Sequence, residues 1–191
     1  MRQYLLVGRT GVGKSSFINS VFGRHIAKIS RYEACTKMVD YYAYKTMFGD
    51  IKLIDTPGLA EDDEECDLNY LRLIRENIEL DRIHTTLYVS RLDETRFRAD
   101  EKRTLKLLTE SLGTSIWKNA ILVFTFAASI SEDKRKEVAY IRASHIQDFL
   151  RDLEMSDFDK FNFYCLVDNM AKNWSKNGVS IDNVFNKSSD I

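Results

Sequence analysis

The sequence predicts a three-layer α/β domain: a mostly parallel six-stranded sheet with one antiparallel edge strand and helices on both faces. Three observations predict it. Short β-rich runs alternate with longer helical ones, which argues for parallel strands joined by crossover helices. A tyrosine-rich run, Val39–Met47, meets its successor through a tight turn read at Gly49-Asp50, which suggests one antiparallel edge. Every motif with evident chemistry falls at the carboxyl end of an expected strand, where ligands sit in such sheets. A single domain over residues 1–191 is the simplest organisation for a chain of this length.

The elements follow in order. Gln3–Gly8 reads as a buried strand. The next run, GKSSFINSVFG, reads as a helix with Phe17, Ile18, Val21 and Phe22 on one side and Gly23 as its stop. The tyrosine-rich strand leads into IKLIDTPG, a second strand. Leu68, Leu71, Ile74 and Ile78 recur at spacings of three and four and predict a helix face. TTLYVSRL is a strand. Leu105, Leu108 and Leu112 mark a helix that Gly113 ends. NAILVFTF is a strand. Val138, Ile141, His145, Phe149 and Leu153 mark one face of a long helix. Its start is boxed by Ser129-x-x-Glu132, or capped by Ser131 instead. Phe161–Val167 is the last strand. The tail beyond Gly178 is short for the final helix of this fold, so the natural chain is expected to continue past Ile191.

Composition bounds the function. A net charge of -1 gives no reason to expect nucleic acid as a partner. Cys35, Cys66 and Cys165 stand at no metal-ligand spacing, so reduced thiols and a cytoplasmic location are expected. No apolar run approaches the ~20 residues of a membrane helix. Met1 lies only a few residues before the first strand, so no secretory leader is expected.

The stretch GRTGVGKS, Gly8 to Ser15, fits G-x-x-x-x-G-K-[ST] between a strand and a helix. Its glycines let the backbone wrap close to a polyphosphate. The N–H groups of Gly8, Arg9, Thr10, Gly11, Val12, Gly13, Lys14, Ser15 and Ser16 then become the candidate phosphate contacts, aided by the positive end of the helix. Lys14 is expected to reach the outer phosphates and the Ser15 hydroxyl to ligate Mg²⁺. The second motif is LIDTPG, Leu53 to Gly58. Asp55, ending an apolar strand, can hold Mg²⁺ through a water. Gly58 can offer its N–H to a γ-phosphate and swing when that phosphate leaves. Thr36, before the second strand, is the candidate that closes the magnesium shell, with Ser30 as competitor. Leu59 stands where many Ras-like proteins place a glutamine to orient the attacking water. Leucine cannot do that, so slow hydrolysis by the isolated monomer is expected. These pieces read as a P-loop GTPase, with GTP and GDP as ligands and Mg²⁺ as cofactor. One piece departs: in that fold the NAILVFTF strand ends in Asn-Lys-x-Asp or Thr-Lys-x-Asp, whereas here it runs Thr125, Phe126, Ala127, Ala128.

The middle of the chain, LYVSRLDETRFRADEKRTLKLLTESLGTSIWKNAILVFTFAAS, resembles the Toc receptor GTPases of the chloroplast outer envelope. It is similar, less closely, to the immunity-associated GTPases; with the septins these form the group sometimes called paraseptins. The matching features are Arg91-Leu92-Asp93, Arg96, the Gly-x-x-Ile-Trp of Gly113 to Trp117, and the strand ending in Thr-x-Ala. VDNMAKNWSKNG, Val167 to Gly178, resembles the Glu-Asn-Ser segment of that family. In Toc-type proteins the fourth box is Thr-His-Ala, so the resemblance implies the loss of lysine and aspartate seen here. Phe126 replaces the histidine. Its ring can stack on a purine but cannot hydrogen-bond one, and a packing phenylalanine is the other reading.

Base choice, by the same resemblance, falls to Asp168, at the position of the family glutamate, and to Asn169. A carboxylate can accept both the ring N–H and the amino group of guanine, a pair adenine lacks; an ordinary loop aspartate is the alternative. The resemblance also implies homodimers paired across the nucleotide face, with Arg96 reaching toward the partner's phosphates through a permanent, bidentate charge. Arg91, Arg98 and Arg103 compete for that part, and a solvated basic face is the alternative. The acidic run Glu61–Asp67 reads as a solvated segment entering a helix N-terminus that favours negative charge.

The expected function is a nucleotide switch with slow GTP hydrolysis by in-line attack of water, acting through an effector or activator that the sequence does not name. Two alternatives stand beside it. One is a septin-like assembly unit with little turnover, which Leu59 favours but which lacks a coiled-coil extension. The other is an ATP-using P-loop protein, against which DTPG and the Toc-like middle argue.

Overall fold

The computed structural model describes residues 1–28, 38–46, 49–60, 64–153 and 164–167. Six strands form one sheet: β1 (Arg2–Val7), β2 (Asp40–Thr46), β3 (Gly49–Asp55), β4 (Thr85–Arg91), β5 (Ala120–Thr125) and β6 (Tyr164–Leu166), in the spatial order β2-β3-β1-β4-β5-β6. All neighbours are parallel except β2, which pairs antiparallel with β3 at one edge. The helices are α1 (Lys14–Phe22), α2 (Glu64–Asn77), α3 (Ala99–Leu112) and α4 (Glu132–Asp152).

Strand periodicity assigns the two faces. Tyr4 and Leu6 of β1 pack with Phe17, Ile18 and Val21 of α1, while Leu5 and Val7 pack with Leu71, Ile74, Leu105, Leu108, Ile146 and Leu150 of α2, α3 and α4. The sheet is thus the middle of three layers, as the alternation predicts. Both expected glycine stops hold: Gly23 caps α1 with φ 62 and Gly113 ends α3 with φ 85. Among the described residues no helix is long and apolar enough to cross a membrane.

The structure corrects several local expectations. Gly49 and Asp50 are not the turn; Thr46 pairs with Gly49, so the connection is two residues long and β3 begins at Gly49. Leu68 is 58% exposed, and the inward position belongs to Asp67, fully buried with Leu71 and Ile74. In α4 the buried line is Ala139, Arg142, Ile146 and Leu150, one residue off the expected face; Ile141 and His145 are exposed, and Val138, Phe149 and Leu153 flank the core. The expected stripe missed because a charged residue, Arg142, occupies the centre of the inward face. Ser131 takes the N-cap position of α4, without a side-chain bond. The last strand is described only from Tyr164.

Candidate functional site

The ends of β1 and β3 and the start of α1 converge. Gly8 follows β1 with φ 152, and a Cβ there would lie 2.4 Å from the Val89 carbonyl oxygen of β4, so only glycine lets the chain turn so close to the sheet. Gly13 closes the loop in the left-handed region, φ 95 and ψ 27, as the N-cap of α1. It brings no side chain and the first turn of α1 brings no acid, so that end of the helix keeps its partial positive charge. Lys14 is 6% exposed; its ammonium donates to the carbonyls of Gly8 at 3.1 Å and Arg9 at 2.9 Å, across the mouth of the loop. Next to it the Ser15 hydroxyl donates to Asp55 Oδ2 at 2.8 Å, so the two nearest predicted metal residues meet. A hydroxyl beside a carboxylate is a hard-oxygen set suited to a Mg²⁺ that keeps several waters.

The loop after β3 is paired to this one. Thr10 N–H donates to Leu59 O at 3.0 Å and Leu59 N–H to Gly8 O at 3.3 Å. Gly58 packs so closely that a Cβ would stand 2.4 Å from Thr10 Cα. The Leu59 side chain turns into the core, 1% exposed. Thr56 donates to Leu6 O at 2.7 Å and fixes the strand end beneath.

Thr125 is fully buried, and its hydroxyl proton is shared between the carbonyls of Val12 at 2.6 Å and Ser90 at 3.1 Å. Phe126, half-buried and in the left-handed region at φ 56, carries the Arg91 guanidinium 3.9 Å above its ring centroid. Arg91 is gripped by both oxygens of Asp93, at 2.9 and 2.7 Å, and that contact holds its pKa above the ordinary arginine value.

Three charged contacts around the site escaped the sequence reading. Arg9 sends its guanidinium to Glu94 at 2.5 Å and to Asp100; burial works against its charge, but the two carboxylates outweigh it and the pKa rises. Arg142, 1% exposed, bonds Glu101 at 2.9 and 2.7 Å and the Ser90 hydroxyl at 2.7 Å. Its other arm donates to the Arg96 carbonyl at 3.1 Å. Asp67 accepts from Ala60 N–H at 2.8 Å and from the partly exposed Arg103 at 2.7 Å, so the end of the acidic run is a buried, paired carboxylate, not a solvated one. The sequence did carry one signal: Arg142 sits three residues after Ala139 and four before Ile146, on an apolar face.

The structure therefore brings together Gly8 to Ser15, Asp55, Gly58, Thr125 and Phe126. Thr36, Ser30, Asp168 and Asn169 lie outside the described residues. Arg96 is exposed on the segment between β4 and α3; of its competitors, Arg91 and Arg103 are committed to Asp93 and Asp67.

The chain is similar to several known proteins. GTP-binding protein A of Dictyostelium discoideum is 39% identical over 132 residues, covering 68% of this chain and 29% of that protein. Translocase of chloroplast 159 of Arabidopsis thaliana is 38% identical over 131 residues, covering 68% of this chain and 9% of that protein. The chain thus spans under a third of either relative. Solved structures of Toc33 from Arabidopsis thaliana superpose well. A dimerization-deficient mutant gives a TM-score of 0.76 at 26% identity, and a complex with Mg²⁺ and GMPPNP gives 0.74 at 25%; each covers 90% of this chain and 72% of that one. The model of the AIG1 family matches residues 2–184, the whole sheet and both glycine loops included, and the chain belongs to that family.

Proposed function

We propose that this domain binds GTP and GDP with Mg²⁺ and hydrolyses GTP slowly, as a nucleotide-dependent switch. The contact between Ser15 and Asp55 at 2.8 Å, beneath a glycine loop and a helix N-terminus, carries the reading. GTP-binding protein A and the GMPPNP-bound Toc33 support it as relatives. In this reading Lys14 leaves the carbonyls of Gly8 and Arg9 for the outer phosphates, and the amides from Gly8 to Ser16 cradle them. Ser15, Thr36 and, through water, Asp55 would hold Mg²⁺, which would neutralise charge on the outer phosphates. The Gly58 amide faces the γ-phosphate. Thr125 acts through the Val12 carbonyl instead of touching the base, and Asp168 with Asn169 reads guanine.

Slow turnover follows from Leu59, whose buried side chain orients no water. Pairing across the nucleotide face, with Arg96 reaching the partner's phosphates, completes the proposal; it is supported by the exposed position of Arg96 and by Toc33, for which a dimerization-deficient mutant exists. The buried Leu59 also favours a second reading, a septin-like assembly unit that hardly turns over. A single G domain, a cytoplasmic location inferred from thiols expected to be reduced, and an unidentified effector belong to the same proposal.

The test is GTP hydrolysis per molecule against protein concentration, with size measured in GDP and GMPPNP. A rate that rises with concentration, and that Arg96→Ala flattens, supports a paired GTPase. Assembly without turnover favours the septin-like unit instead.

A further inference from the structure

Phe126 occupies a backbone conformation that a residue with a side chain disfavours, φ 56 and ψ 29. Three hydrogen bonds hold it there. Leu92 N–H donates to Thr125 O at 2.9 Å, Ala127 N–H to Val167 O at 3.2 Å, and Ser129 N–H to Phe126 O at 3.0 Å. The turn delivers the ring to Arg91, whose guanidinium carbon lies 3.9 Å from the ring centroid. Arg91 is opposite Thr125 in the sheet register, and Asp93 grips it with two bonds while Glu94 stands 3.8 Å away. A flat cation is thus fixed on one face of an aromatic ring at the edge of the phosphate loop, since Thr125 beside it bonds Val12.

We propose that Arg91 is a positioning residue for the nucleotide base: it backs the Phe126 ring, and the opposite ring face is the platform on which the purine stacks. The inference rests on the nucleotide reading above. Cation–π attraction fixes the ring plane without offering a hydrogen bond to the base. Stacking on a phenyl face accepts any purine, so this shelf supplies base affinity while guanine selection belongs to hydrogen-bonding groups elsewhere. Strained backbone at a ligand site is consistent with such a part.

The test measures the affinity of GDP and of inorganic pyrophosphate, both with Mg²⁺, for the wild type and for Arg91→Lys, Phe126→Leu and the double variant. Lysine keeps the charge beside Asp93 and Glu94 but loses the plane. GDP affinity is expected to fall about fivefold in Arg91→Lys and about tenfold in Phe126→Leu, with the double variant no weaker than Phe126→Leu and with pyrophosphate affinity retained in all. Unchanged GDP affinity in Arg91→Lys overturns the proposal. So does a parallel loss of pyrophosphate affinity, which would make Arg91 a support of the loop. So do additive losses in the double variant, which would show that the two residues act separately. A wild type that binds neither ligand overturns the nucleotide reading, and the shelf with it.

Discussion

The Ser15 hydroxyl lies 2.8 Å from Asp55 Oδ2, joining the first turn of α1 to the end of β3. That geometry makes a definite prediction for metal. Ser15→Ala and Asp55→Asn should each lower the apparent Mg²⁺ affinity of the GDP complex by about 10- to 100-fold. Titrating Mg²⁺ against fluorescent GDP checks it. Equal midpoints for the wild type and both variants would remove these residues from the metal site.

Gly58 is placed by contact, and its substitution has a cost readable in stability. In Gly58→Ala a methyl would meet the Thr10 backbone at 2.4 Å, and backbone cannot step aside as a flexible side chain can. The loops must separate, breaking the Thr10–Leu59 and Leu59–Gly8 bonds, at about 1–3 kcal/mol. Urea denaturation without nucleotide measures that loss, and an unchanged midpoint would contradict the packing.

Arg142 and Glu101 are each 1% exposed, between α4 and α3. Removing one member strands the other's charge, so Arg142→Leu should cost about 3–5 kcal/mol. Replacing both, as Arg142→Met with Glu101→Leu, should restore much of that stability. Denaturation of the three variants decides it: a double variant as weak as the single one would mean that the pair is net stabilising beyond mutual neutralisation.

Thr125 joins β5 to the phosphate loop through Val12. Thr125→Val keeps the shape and removes the shared proton, so stability should fall by about 1 kcal/mol and GDP should dissociate faster. Stopped-flow release of labelled GDP reads the second effect; an unchanged rate would show that the loop stands without this strut.

The sequence made the scaffold legible because its signals are local. The strand alternation, the glycine stops and the two glycine loops each depend on a few neighbouring residues, and the structure reproduces them. What escaped was long-range charge. Arg142 reads as a break in an apolar stripe until Glu101, forty-one positions away in sequence, neutralises it. Asp67 reads as the end of a solvated acidic run until Arg103 and the Ala60 amide claim it. On α2 the expected Leu71, Ile74 and Ile78 are buried and only Leu68 is displaced, by Asp67, for the same reason: a pattern count gives a leucine priority over an aspartate, and only the fold supplies the aspartate's partners. Thr36, Asp168 and Asn169 fall outside the described residues, so their parts rest on the sequence reading and on the resemblance alone.

Every role assigned to the site depends on a guanine nucleotide bound at the glycine loop. Calorimetric titration with GDP and with ADP, each with Mg²⁺, tests it most directly, using the wild type and Lys14→Ala. The expected result is one GDP per chain, ADP weaker by at least about 100-fold, and loss of GDP binding in Lys14→Ala. Equal affinity for GDP and ADP, or GDP binding that survives Lys14→Ala, would contradict it.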